Sequence, residues 1–197
     1  MIRMNSSTPE NRKGRAFSTL RRSFVARSVV GLMLCGGLAL PTNLQAAAYS
    51  VPQVQAVFLF NFAQFVKWPA KAFPEATSPL TIGVLGANPF GGALDNTVRG
   101  ETVAGRRMAV KYSRRAEDLK GCQIVFVGKS EAGRLGSILN AYQGTSVLTV
   151  SDIPRFCEQG GMINFVIEGG RVKFSVYTRS AKNAELQISS KLLRLAK

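Results

Sequence analysis

The sequence predicts an α/β domain: three layers, with a mainly parallel sheet, helices on both faces and an antiparallel hairpin near the carboxyl end. Three observations predict it. Short apolar runs of buried-strand type alternate with helical patterns through the middle of the chain, the order that builds a covered parallel sheet. Two later runs flank Glu168-Gly169-Gly170, and adjacent glycines supply the positive φ that a tight hairpin needs. Upstream, Phe58, Phe60, Phe62, Phe65 and the only tryptophan, Trp68, crowd into one apolar stretch. A helix apolar nearly all round is buried on several sides or sits at an interface.

In chain order, Val54, Phe58, Phe62, Phe65 and Trp68 recur at helical spacing, and Pro69 is expected to end that helix. Phe58, Phe62 and Phe65 are expected to fill the core, while Phe60 and its neighbours face a partner or a second copy. Leu80–Leu85 predicts the first strand, Gly86–Gly92 a turn, and Ala93–Val98 a short helix. Met108–Tyr112 is the second strand and Ala116–Leu119 a helical turn. Gln123–Val127 is the third strand and the most apolar. Ser130–Tyr142 predicts a helix with Leu135, Ile138 and Leu139 inward, and Val147–Val150 the fourth strand. Met162–Ile167 and Arg171–Val176 form the hairpin. Ser189 is expected to cap a last helix running to Ala196, with Leu192, Leu193 and Leu195 inward.

The amino end carries a different signal. Arg12, Lys13, Arg15, Arg21, Arg22 and Arg27 precede an apolar run of thirteen residues, Ser28–Leu40. Pro41 breaks the run, and Ala46–Ala48 offer small residues for cleavage. This is the plan of a secretory signal peptide. A membrane span needs roughly 20 apolar residues. Residues 1–46 are therefore expected to be a cleaved leader and 47–197 a single domain. The Arg21-Arg22 pair leaves the general secretory and twin-arginine routes both open.

Export changes the charge argument. The whole chain carries 26 basic and 11 acidic residues, net +15; without residues 1–46 it carries 19 against 10, net +9. The mature domain stays basic, which suits an anionic partner such as an acidic protein face, a cell-wall polymer or a membrane surface. Nucleic acid is not expected outside the cytoplasm. Arg106-Arg107 and Arg114-Arg115 flank the second strand and are candidate partner-binding residues, together with Phe60 and Trp68.

Catalytic chemistry finds little support. The chain has no histidine, which removes the commonest general base and metal ligand. Two mature cysteines without histidine do not make a four-ligand zinc site. Gly83-x-x-Gly86 does not match the dinucleotide fingerprint, and Gly128-Lys129-Ser130 lacks the earlier glycine of a phosphate loop. No cofactor or metal is expected. Ligands of parallel sheets bind at the carboxyl ends of the strands. Asn88 and Phe90 after the first strand, and Ser151 and Asp152 after the fourth, are the candidate ligand edge. Cys122 precedes the third strand and Cys157 follows the fourth. Opposite ends of paired parallel strands lie roughly 15–20 Å apart, so the two are expected to stay unpaired.

Several segments, in order, carry a resemblance: F-L-F-N-F-A-Q-F-V-K-W-P, T-I-G-V-L-G-A-N-P-F-G, C-Q-I-V-F-V, V-L-T-V-S-D-I-P-R-F-C-E-Q-G-G-M-I-N-F-V and L-Q-I-S-S-K-L-L-R-L-A. Together they resemble the YfiR family from about Tyr49 to the end. The resemblance implies a periplasmic, non-enzymatic α/β protein. It implies a repressor that binds the periplasmic sensor domain of an inner-membrane diguanylate cyclase and is drawn away by an outer-membrane lipoprotein, raising cyclic di-GMP and favouring biofilm. A homodimer, and a small-ligand or cell-wall binder without an enzyme partner, remain alternatives.

Overall fold

The computed structural model describes residues 49–197; the expected leader and its cleavage site lie outside the described residues. Among those residues, no helix is long and apolar enough to cross a membrane. The domain is built on a seven-stranded sheet of order β3-β4-β2-β5-β6-β7-β8. Its members are β2 (Leu80–Leu85), β3 (Thr102–Val103), β4 (Arg106–Ser113), β5 (Ile124–Val127), β6 (Leu148–Ser151), β7 (Ile163–Glu168) and β8 (Arg171–Val176). Pairing is parallel from β4 through β2, β5 and β6 to β7, and antiparallel at both edges.

Alternation along the strands divides the core in two. Leu80, Ile82, Val84, Ile124, Phe126, Leu148, Val150, Ile163 and Phe165 meet the face covered by α1 (Val51–Phe65), α2 (Ala93–Val98), α4 (Thr178–Asn183) and α5 (Ser190–Leu195). Val125 and Val127 meet the other face, under α3 (Leu135–Ala141) and the turn at Glu117–Leu119. The central strands are buried on both faces, and so they read as continuous apolar runs.

Helix α1 begins where the sequence supplies a cap: the Gln53 side chain accepts the Ser50 N–H at 2.7 Å, half of a capping box. Its buried stripe is Gln55, Ala56, Leu59, Phe62 and Ala63. Phe62 is fully buried, its ring 5.7 Å from Phe165 and 5.1 Å from Phe174. Phe58 joins the same cluster at 5.3 Å from Phe174. Phe60 is half-buried and packs against the edge of the core, while Val57 on the outward side is 45% exposed.

The helix stops four residues before Pro69. Val66-Lys67 are extended and pair antiparallel with Gln187-Ile188 as strands β1 (Val66–Lys67) and β9 (Gln187–Ile188). Two causes act together. A residue before proline avoids the α region, which extends Trp68, and the Trp68 indole N–H reaches the Gln123 carbonyl at 3.0 Å. Other differences are local. The second strand runs from Arg106 to Ser113 and folds back on β3 through Ala104-Gly105, both at positive φ. The stretch from Lys129 to Arg134 is a 3-10 turn before α3 starts. Helix α5 is capped by Ser189, whose hydroxyl accepts the Leu192 N–H at 3.3 Å. Only Leu192 of its three leucines is buried; Leu193 and Leu195 are 38% and 65% exposed, because a six-residue surface helix buries one narrow stripe. Leu135, Ile138 and Leu139 do face inward.

Gln123 is a buried polar hub, 2% exposed. Its side-chain oxygen accepts the Thr81 N–H at 2.8 Å and its amide donates to the Ala72 carbonyl at 2.7 Å. Removing one partner of a buried hydrogen bond strands the other at about 1–3 kcal/mol. Gln123→Leu is therefore expected to cost about 2–4 kcal/mol in urea denaturation. Phe62→Ala is expected to cost about 3–5 kcal/mol, as aromatic core truncations do. Phe60→Ser, at a half-buried site, should cost clearly less than Phe62→Ala; equal losses would place Phe60 in the core proper.

Candidate functional site

The carboxyl edge of the sheet is where a doubly covered parallel sheet offers a crevice. Here the crevice lies between β2 and β5, because β2 pairs with both β4 and β5. The chain closes it with its own groups. Ser130 Oγ accepts the Ala87 N–H at 2.9 Å and donates to Glu131 Oε1 at 3.0 Å. Glu131, buried, takes the Arg134 Nε at 2.5 Å through its other oxygen. Gly86 sits underneath at φ +90°, and a Cβ there would lie 2.4 Å from both Ser130 Oγ and Glu131 Oε1.

The residues expected at this edge hold it together. Asn88 folds its loop: Oδ1 accepts the Phe90 N–H at 2.8 Å and Nδ2 donates to the Gly91 carbonyl at 3.0 Å. Phe90 is buried, its ring edge-on to Phe126 at 4.8 Å, so it belongs to the core and not to an open edge. Ser151 is fully buried; its hydroxyl donates to the Val127 carbonyl at 2.7 Å and accepts the Ile153 N–H at 3.0 Å. Asp152 is half-buried and pairs with Lys129 at 3.3 Å.

The basic pairs divide across the sheet. Arg106 stands on the side of Met108, and its guanidinium lies 3.8 Å over the Phe73 ring, a cation–π geometry. Its Nη1 donates to the Glu75 and Ser78 carbonyls at 3.1 and 2.7 Å. Arg106 therefore pins the segment that leads into β2. Arg107 points to the opposite face by strand alternation and is exposed, as are Arg114 and Arg115.

A different place gathers two of the candidate residues. Trp68 and Arg106 line one cleft of about 700 Å³. Ala63, Gln64, Val66 and Lys67 reach it from the end of α1 and from β1, Ala70 and Phe73 from the following turn, Leu80 from β2, and Thr102, Val103 and Ala104 from the β3–β4 hairpin. The Trp68 bond to Gln123 fixes one wall, and the Arg106–Phe73 stack fixes another. Sequence reasoning missed Phe73, Val103 and Lys67. The short β3 strand is below the length at which alternation is legible, and its Ala104-Gly105 turn is the one available signal.

Among the described residues, no group of three or more His, Cys, Asp or Glu is placed to hold a metal ion. The two cysteines among the described residues, Cys122 and Cys157, are free thiols. Cys122 Sγ packs against Gly83 of β2, and Cys157 lies 3.9 Å from the Ser175 carbonyl of β8. Those strands are four positions apart in the sheet, roughly 19 Å at about 4.8 Å per strand, well beyond disulfide reach. Burial pushes both thiols up to about 11.

Two measurements follow from this geometry. Iodoacetamide at pH 8 should label the native 47–197 chain slowly at Cys122 and Cys157 and label the same chain fast once unfolded in urea, with two carbamidomethyl groups by mass, because the thiolate is the nucleophile. Gly86→Ala should lower stability by about 2 kcal/mol or more, combining strain at positive φ with the clash on Ser130 and Glu131; an unchanged melting temperature would show that the crevice can open.

The profile of the YfiR/HmsC-like family matches residues 52–197. No curated protein matches the chain. Among solved structures, a conserved domain protein from Vibrio cholerae O1 biovar eltor str. N16961 is similar, with a TM-score of 0.51 at 10% sequence identity. The alignment covers 75% of this chain and 60% of that one, so the chain spans less than two thirds of that protein's length. The likeness is one of fold. The family match spans nearly all of the described domain, from the second residue of α1 through α5 to Lys197, and the chain belongs to the YfiR/HmsC-like family.

Proposed function

We propose that this protein is exported, acts in the periplasm without catalysis, and represses an inner-membrane diguanylate cyclase by binding its periplasmic sensor domain. The family match over residues 52–197 carries this reading. Three features support it. The leader has the plan of an export signal. The chain has no histidine. The polar groups at the carboxyl edge of the sheet are spent on one another, which suits a scaffold better than a reaction centre. An outer-membrane lipoprotein that draws the repressor away belongs to the same reading.

The exposed groups we assign to the sensor-domain contact are Val57 beside half-buried Phe60 on α1, and Arg107, Arg114 and Arg115. An acidic partner face would meet those cations, and charge complementarity of this kind sets encounter rate and specificity more than raw affinity.

Deletion of the gene in its host should raise cyclic di-GMP, measured by mass spectrometry. The full chain should restore the level, and a chain lacking residues 1–46 should not. Val57→Asp and Arg107→Glu should each weaken repression while leaving the melting temperature within about 3 °C, as surface substitutions do. An unchanged cyclic di-GMP level on deletion would sink the proposal, and full rescue by the leaderless chain would remove the periplasm from it.

A further inference from the structure

The cleft beside Trp68 has a chemistry of its own. It is walled by Val66, Trp68, Phe73, Leu80 and Val103 and contains two cationic residues, Lys67 and Arg106, with no carboxylate in its lining. Among the described residues, neither cation forms a salt bridge. The Arg106 hydrogen bonds go to neutral carbonyls through Nη1, so its charge has no counterion. Cations beside an apolar wall complement an anion that carries an apolar body. A volume of about 700 Å³ falls among small-molecule sites.

The apolar wall also selects among such anions. The Trp68 N–H is committed to the Gln123 carbonyl, so the indole offers a hydrocarbon surface and no donor. Gln64 and Thr102 are the remaining polar side chains of the lining. A heteroaromatic ligand needs a matching pattern of donors and acceptors for its ring, and leaving such groups unpaired is costly. A hydrocarbon chain needs none.

We propose that this cleft binds a single-chain aliphatic carboxylate, its chain against Trp68, Phe73, Leu80 and Val103 and its carboxylate at Lys67 and Arg106. The inference stands on the cleft alone and does not depend on which enzyme the protein regulates.

Trp68 is the only tryptophan in the chain, so its emission reports on this cleft. Titrating the purified protein with decanoate below its micellar range should give a saturable change in emission, with a matching isotherm by calorimetry. Decyltrimethylammonium, of equal chain length and opposite charge, should bind at least about ten-fold more weakly. Lys67→Gln should weaken decanoate about five-fold, in line with a partly exposed ion pair, and Lys67→Glu should narrow or reverse the preference between the two heads. Ala70→Phe, at an exposed lining position, should weaken both probes by filling the cleft. The proposal is overturned by flat emission together with flat calorimetry, by equal binding of both heads, or by decanoate binding untouched in Lys67→Glu and Ala70→Phe. The same emission change on phosphatidylglycerol vesicles, unaltered in Ala70→Phe, would assign the effect to a lipid surface and likewise overturn it.

Discussion

The interaction on which the rest depends is the set of hydrogen bonds at Gln123. This one residue, at the entry to the central strand, ties four segments together. Its backbone N–H meets Thr81 and its carbonyl receives both Leu148 and Trp68, while its side chain holds Thr81 and Ala72. A buried amide is costly unless satisfied, and satisfied networks are specific because alternatives leave groups unpaired. The amino ends of β2, β5 and β6 are aligned here. The Trp68–Ala72 segment is brought across them at the same point, which is why α1 cannot continue into it.

Around that anchor, the packing joins the two ends of the domain. The rings of Phe58 and Phe62 from α1 interlock with Phe165 and Phe174 from the hairpin. Strand β9 pairs with β1, and the Lys197 N–H reaches the Phe174 carbonyl. The carboxyl-terminal segment therefore covers part of the β8 edge, which would otherwise present an open row of backbone groups. On the opposite face, Phe156 is fully buried, and a Cβ on Gly161 would lie 2.1 Å from its ring. The Gly160-Gly161 step in the family-like segment is thus a packing requirement: the chain must pass flat beneath an aromatic ring.

The same constraints decide where a ligand finds room. In a doubly covered parallel sheet the switch point is the usual vacancy. Here Ser130, Glu131 and Arg134 fill it, and Gly86 is the residue type that admits them. Room appears instead at the amino-end side of the domain, where Trp68 and the Arg106–Phe73 stack hold the walls of the cleft apart. Arg106 has two consequences there. It fixes the loop from Phe73 to Ser78, and it leaves an uncompensated charge beside an apolar surface.

The sequence by itself determined the α/β class, the first strand and the helix after it to the residue, the buried face of α3, the glycine hairpin, and the family. These are properties of local pattern: unbroken apolar runs for strands buried on both faces, period 3.6 for helices, and positive φ at paired glycines. Tertiary structure alone decided the rest. The early end of α1 and the existence of β1 and β9 depend on a partner more than 100 residues away. Phe90 was legible as a loop residue and Ser151 as a strand end, yet contacts with Phe126 and Val127 make both interior. The cleft draws one or a few residues from each of several separate segments, so no window of sequence contains its pattern. Which charges stay uncompensated is likewise a matter of distance in space. Arg134 finds Glu131 within one turn, whereas Arg106 finds an aromatic ring and two carbonyls.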